Sequence, residues 1–297
     1  MQLRVNHGRI KHRVKKENKT MITASEYRLK QTELLNEYEE RVRKWLKDKG
    51  ENQIAEKIPF FRDGVTNPEV WFAPGNNFRP LFVLKDVSLG VDKVSDVDQF
   101  LKTWGNQKQF DFVENPFDDV KIGKFILWRK IAALTKGLED IYLEKGFSDY
   151  GKYDFSYQTG GMQYTGDIEG YKDYGFRTSN PLYNDMIEKI AVLEVKKIGG
   201  GRDVNSELSI ATRHYAEHIA PFRDLICREI ELINPTLIIC CSREYFTQNL
   251  LEEVKNNTSE RLWIYGCHPT FNSTKNFYEA PVLTYKQHME SFNVSLR

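Results

Sequence analysis

The chain has 297 residues, 40% of them hydrophobic, 29% charged and 13% aromatic, and a formal net charge of +1. That length supplies core for one large domain or two small ones, no apolar run is long enough to span a membrane, and the near-neutral total gives no overall pull on nucleic acid. Four cysteines, Cys227, Cys240, Cys241 and Cys267, form no CxxC pair and are too few for a disulfide scaffold, so reduced, buried thiols, no metal and no cofactor are expected in a soluble, cytoplasmic protein.

Local charge differs from the total. Residues 1–22 read as a basic tail: Arg4, Arg9, Lys11, Arg13, Lys15, Lys16 and Lys19 stand against one acid, Glu17, a local charge near +6. It is either a solvated tail or an arm reaching phosphates, and no hydrophobic signal-peptide core follows it. The remainder, 23–297, reads as a single α/β domain with a helical extension over 23–77. Within the extension, Leu34, Leu35, Tyr38, Val42, Trp45 and Leu46 recur at helical spacing from Thr23 to about Lys49, with Ser25 as N-cap and Gly50 as stop. Irregular chain with Pro59, Gly64, Pro68, Pro74 and Gly75 leads to a buried strand, Leu81 to Leu84, which releases Lys85, Asp86 and Ser88 at its carboxyl end.

Phe125 to Leu138 has helical spacing. The insert 147–177 interleaves tyrosine, phenylalanine, glycine and aspartate with no helical or strand period; it either packs against itself or stacks on bases or sugars. A short helix over 182–189 precedes an apolar strand, Ile190 to Val195, which gives way to Lys196, Lys197, Gly199, Gly200, Gly201 and Arg202. Glycines at a strand's end let backbone approach a ligand, and the flanking cations favour an anion such as phosphate; a plain mobile loop is the other reading. Ser206 to Ile233 reads as one long helix in which His214 and His218 lie a turn apart with no third ligand evident. A strand at 236–241, a helix at 243–255 and a strand at 261–266 follow, the last strand ending in Cys267, His268, Pro269 and Thr270. Apolar strands alternating with helices predict a three-layer α/β/α sandwich around a central, mainly parallel four-stranded sheet.

Over residues 78–290 the order LFVLKDVS, IAVLEVKKIGGGR, GCHPT resembles the three motifs of the uracil-DNA glycosylase superfamily, the middle one as in its cluster-containing bacterial branch, whose cluster cysteines are absent here. The resemblance implies a uracil-DNA glycosylase-like fold. It implies Asp86 as the water-handling acid, Phe125 as the aromatic stacking on the extruded base, and His268 as the histidine that stabilises the leaving base. Thr270, Phe271 and Asn272 fall where that family pinches the strand and wedges the duplex. Lys85, Ser88, Lys196, Lys197, the glycines and Arg202 would then meet DNA phosphates. Two departures stand out: Lys85 and Ser88 replace a glycine and a proline of the first motif, and Glu194 replaces an asparagine.

The second departure carries chemistry. An ionised glutamate only accepts hydrogen bonds, so uracil loses a partner, whereas the amino group of cytosine is met by the carboxylate and a protonated Glu194 can donate to ring N3. A shift of register by one would turn Glu194 away. Unmodified cytosine cannot be the target in the cell's own genome, so the expectation is a DNA glycosylase that flips a modified cytosine, such as glucosylated hydroxymethylcytosine of phage DNA, out of a duplex and leaves an abasic site as antiviral defence. Ordinary uracil repair and a non-catalytic nucleic-acid-binding relative are the alternatives.

Overall fold

The structure is a computed structural model and describes residues 22–84, 93–97, 126–144, 153–154, 163–164, 185–199, 220–241, 254–255, 261–267 and 275–295. Helix α1 (Ala24–Asp48) starts two residues earlier than Ser25 as N-cap predicts. Thr23 is the N-cap: its hydroxyl accepts from Glu26 N at 3.2 Å while the Glu26 carboxylate accepts from Thr23 N at 2.8 Å. This reciprocal box needs an acid three residues after the cap, which Thr23 has and Ser25, followed at that spacing by Arg28, does not. Gly50, at φ +84°, ends the helix, with Gly50 N donating to Lys47 O and Glu51 N to Leu46 O, both at 2.9 Å; the left-handed turn suits a residue without Cβ.

After α2 (Asn52–Lys57), β1 (Gly64–Val65) and α3 (Pro68–Trp71) come β2 (Pro80–Leu84), α4 (Ile126–Tyr142), the small pair β3 (Tyr153–Asp154) and β4 (Gln163–Tyr164), and β5 (Ala191–Glu194). Then follow α5 (Arg223–Ile233), β6 (Leu237–Cys240), β7 (Leu262–Tyr265), a π-helical turn (Lys275–Glu279) and α6 (Ala280–Ser295). The single helix expected over 206–233 is not continuous: a 3₁₀ turn at Ala220–Phe222 precedes α5, because Pro221 lacks the amide an α-helix interior needs. Asn234, left-handed at φ 49°, closes α5 before Pro235. The insert, expected to lack strands, contains the antiparallel pairing Tyr153↔Tyr164 and Asp154↔Gln163; strands of two residues are too short to leave an alternating signature.

The fold is α/β, and its main sheet has five strands in the order β1-β5-β2-β6-β7. Four are parallel, as expected, and β1 joins β5 antiparallel at the edge, which corrects the four-stranded expectation. Taken in chain order, the parallel strands run second, first, third, fourth, the doubly wound arrangement in which the chain leaves the first strand to one side and returns to the other. Although the parallel strands are apolar apart from Glu194, their residues divide by parity. Leu81, Val83, Ala191, Leu193, Ile238 and Cys240 face α1 and α5; Phe82, Leu84, Val192, Leu237, Ile239 and Ile264 face α4 and α6. The segment read as a helical extension thus supplies a covering layer, with Tyr27, Leu35, Tyr38, Val42 and Leu46 of α1 buried in the same cluster as the sheet. No helix among the described residues is long and apolar enough to cross a membrane.

Candidate functional site

Parallel strands put their carboxyl ends at one edge, and ligands of doubly wound sheets bind in the crevice there. In this sheet Leu84 is in register with Glu194, Val83 with Cys240 and Cys240 with Tyr265. The α4 helix runs against the strands: at its far end Tyr142 stacks on Phe78 with 5.5 Å between ring centroids, and Glu139 accepts from Lys189 Nζ at 2.6 Å, both partners preceding strands. Its first residue, Ile126, therefore lies towards the carboxyl edge, since 17 residues make a rod of about 25 Å. In sequence, Lys85, Asp86 and Ser88 follow β2, His268 follows β7 by three residues, and Phe125 immediately precedes α4. These five, with Gly200, Gly201, Arg202, Thr270, Phe271 and Asn272, lie outside the described residues, as do His214, His218 and the tail over 1–21.

Glu194 is described. It is the last residue of β5 and only 7% exposed. Its parity is that of Val192, so it faces the α4 side of the sheet, the layer that also holds Leu84 and Cys241. The Cys241 thiol registers this placement: burial first, then Cys240 and then the Glu194 charge push it well above the ordinary thiol range. Two backbone bonds fix the strand's end, Val195 N donating to Leu84 O at 3.2 Å and Glu194 N donating to Asp63 Oδ2.

The two lysines differ from expectation. Both are fully buried, and Lys197 Nζ donates to Asp63 Oδ1 and forms an ion pair with Glu229 Oε2 at 2.9 Å. Gln31 Nε2 donates to Glu229 Oε1 at 2.9 Å and to Asp63 O at 3.1 Å, and the ammonium lies 5.9 Å from the centroid of the Tyr38 ring. The cause is a bend at 195–196, after which Phe61 N donates to Lys197 O at 2.7 Å and Phe60 bridges to Ile198. That bend turns Lys197 beneath the sheet instead of outward, so its charge is spent on two carboxylates and not on a phosphate. Lys196 is equally excluded from the surface a phosphate would approach, and Gly199 is buried as well.

The cluster holds two carboxylates against one ammonium. Burial raises the Glu229 carboxyl to about 7, the nearby Asp63 adding to the rise and Lys197 opposing it. For Lys197 burial works downward, but Asp63 and Glu229 outweigh it and hold the ammonium above its usual range. Sequence reasoning missed Asp63, Gln31 and Glu229. A signal existed for two of them: Gln31 sits among Tyr27, Leu34, Leu35 and Tyr38 on the apolar stripe of α1, and Glu229 among Leu225, Ile226, Ile230 and Ile233 on that of α5. A polar residue on a buried stripe needs a partner. Among the described residues no group of His, Cys, Asp and Glu has the geometry of a metal site.

No protein-family model, no curated protein and no solved structure matches this chain. The functional reading therefore rests on the chemistry of the sheet's carboxyl edge.

Proposed function

We propose that this chain is a DNA glycosylase acting on an extruded, modified cytosine, with a uracil-DNA glycosylase-like fold. The observation that carries the reading is the position of Glu194: a carboxylate at the carboxyl edge of a parallel sheet, on the α4 side, beside the strand whose continuation carries Asp86. A carboxylate there accepts from the exocyclic amino group of cytosine, and in protonated form donates to N3. Uracil, with a carbonyl at that place, has nothing to give an ionised glutamate.

In the proposed reaction the base is drawn out of the stack and held by Glu194 and Phe125. Asp86 orients a water molecule that bonds to C1′ while the C1′–N1 bond breaks, the electron pair leaving with the base; the water proton passes to Asp86. His268 and nearby amides stabilise the departing base, a contribution that is largest in a site without bulk water. Phosphate contacts fall to Lys85, Ser88, Gly200, Gly201 and Arg202, and the wedge to Thr270, Phe271 and Asn272, with duplex DNA as partner.

The test is release of free base, read by mass spectrometry, from DNA containing uracil, unmodified DNA and DNA with glucosylated hydroxymethylcytosine. Release from the last, well above that from uracil DNA and with none from unmodified DNA, is the expected result. Release from uracil DNA alone makes the chain a repair enzyme, and release from none, with DNA binding retained, makes it a non-catalytic relative. Alanine at Asp86 or at His268 should abolish release while leaving DNA affinity intact.

A further inference from the structure

Beyond β1, the edge of β5 has no strand to pair with among the described residues. Val65 pairs with Ala191 and Gly64 with Val192, but the next pairing on that side is Phe60 with Ile198. The β5 chain therefore carries two more residues than its neighbour across this interval, and the excess is taken up in the bend at 195–196. Such an interruption leaves backbone amides without a ladder partner. Asp63, immediately before β1, fills the gap with its side chain: Oδ2 accepts from Glu194 N, before the bend, and Oδ1 accepts from Lys197 Nζ, after it.

We infer that Asp63 is a positioning residue for Glu194, a carboxylate strut that ties the two sides of the bend and so sets where the Glu194 side chain meets its ligand; the inference rests on the glycosylase reading above. The strut is itself held from behind. Lys197 reaches Glu229 on α5, Gln31 on α1 joins Glu229 to the Asp63 carbonyl, and Tyr38 donates its hydroxyl to Val195 O at 3.2 Å within the bend. All four side chains, Gln31, Tyr38, Lys197 and Glu229, are fully buried. The bend cannot swing without breaking charge-assisted bonds in a dry interior. Gly64 completes the geometry: at φ +138° it turns the chain between Asp63 and Val65, and a methyl group built there would lie 2.5 Å from the Tyr27 hydroxyl.

Asp63→Asn keeps the size of the side chain but offers one carbonyl oxygen where two donors need acceptors. The full chain is compared as wild type, Asp63→Asn, and Leu46→Ala, a cavity variant in the last turn of α1 that lowers stability and removes none of the hydrogen bonds at the bend. Amide exchange followed by NMR reads the strut directly. In Asp63→Asn the Glu194 amide should exchange about tenfold faster relative to the Cys241 amide, the worth of one hydrogen bond to a charged group; the reference amide donates to Val83 O at 2.9 Å inside the sheet. The second readout is the ratio of kcat/KM on modified-cytosine DNA to that on uracil DNA, which does not depend on how much protein is folded. It should fall about tenfold in Asp63→Asn, on the scale of one polar contact misplaced, and stay unchanged in Leu46→Ala. An unchanged Glu194 amide overturns the strut. A faster amide with an active enzyme and an unchanged ratio overturns the positioning role alone. A wild type that releases no base from any of these DNAs overturns the glycosylase reading and with it the ligand assigned to Glu194.

Discussion

Ionising Glu229 should weaken the fold, by an amount that the buried cluster sets. Its carboxyl is fully buried among Asp63, Lys197, Gln31, Tyr38 and Tyr27 and titrates at about 7, against 4.5 for the free group. A folded-state value above the unfolded one means that the native state holds the proton more tightly. The resulting stabilisation is fully present below pH 4.5 and is lost as pH rises through about 7. The difference corresponds to about 3 kcal/mol between those limits, at 1.36 kcal/mol per unit. Glu229→Gln removes the titration and keeps the shape. Urea unfolding of both proteins at intervals from pH 5 to pH 8 (about the range a soluble domain tolerates) should show the wild type losing roughly this much relative to the variant, most of it between pH 5 and 7. Stability curves that stay parallel across the range would refute the reasoning, because they would mean that Glu229 is already ionised at pH 5 or never ionises.

Lys197→Met leaves Asp63 and Glu229 facing each other without their cation, so unfolding free energy at pH 8 should drop by about 3–5 kcal/mol, with part of the loss recovered at pH 5 where Glu229 takes up a proton. Gly137→Ala in α4 would normally help a helix, yet a methyl group there lies 2.5 Å from the Tyr278 hydroxyl and 2.9 Å from its ring carbon Cζ; thermal unfolding should report a net loss of about 1–3 kcal/mol, partly relieved in the double variant with Tyr278→Phe. Under the glycosylase reading, Glu194→Asn restores a group that both donates and accepts, and base release should shift towards uracil DNA by about tenfold or more; competition between uracil and modified-cytosine DNA measures it, and an unmoved preference would count against the base-reading role.

The four parallel strands and their exits were legible because each is a short, mainly apolar run followed within three residues by a charged or polar residue: PLFVL before Lys85, AVLE before Lys196, LIIC before Ser242, LWIY before His268. Helix α1 was legible from its stripe, and only its cap was misread, since two hydroxyl residues compete there and a reciprocal bond to Glu26 decides between them. Glu194 is the one described residue of the proposed base-reading group, and its side of the sheet follows from parity once the strand's limits are known.

What the amino-acid order determined by itself, then, is the alternation of buried strands and helices and the release of polar residues at strand ends. Both are local consequences of burying apolar side chains at periods of two and 3.6. Tertiary structure alone decided the strand order, the two-residue edge strand β1 and the fate of Lys197. A lysine after a strand reads as solvated because burying its charge costs several kcal/mol unless carboxylates meet it. Here one of them, Asp63, stands 134 residues away in the chain, and the other comes from the far side of the glycine run on α5. No window of sequence contains both the charge and its partners, so only the folded chain, by closing those distances, turns an expected phosphate ligand into the buried anchor of the bend beside Glu194.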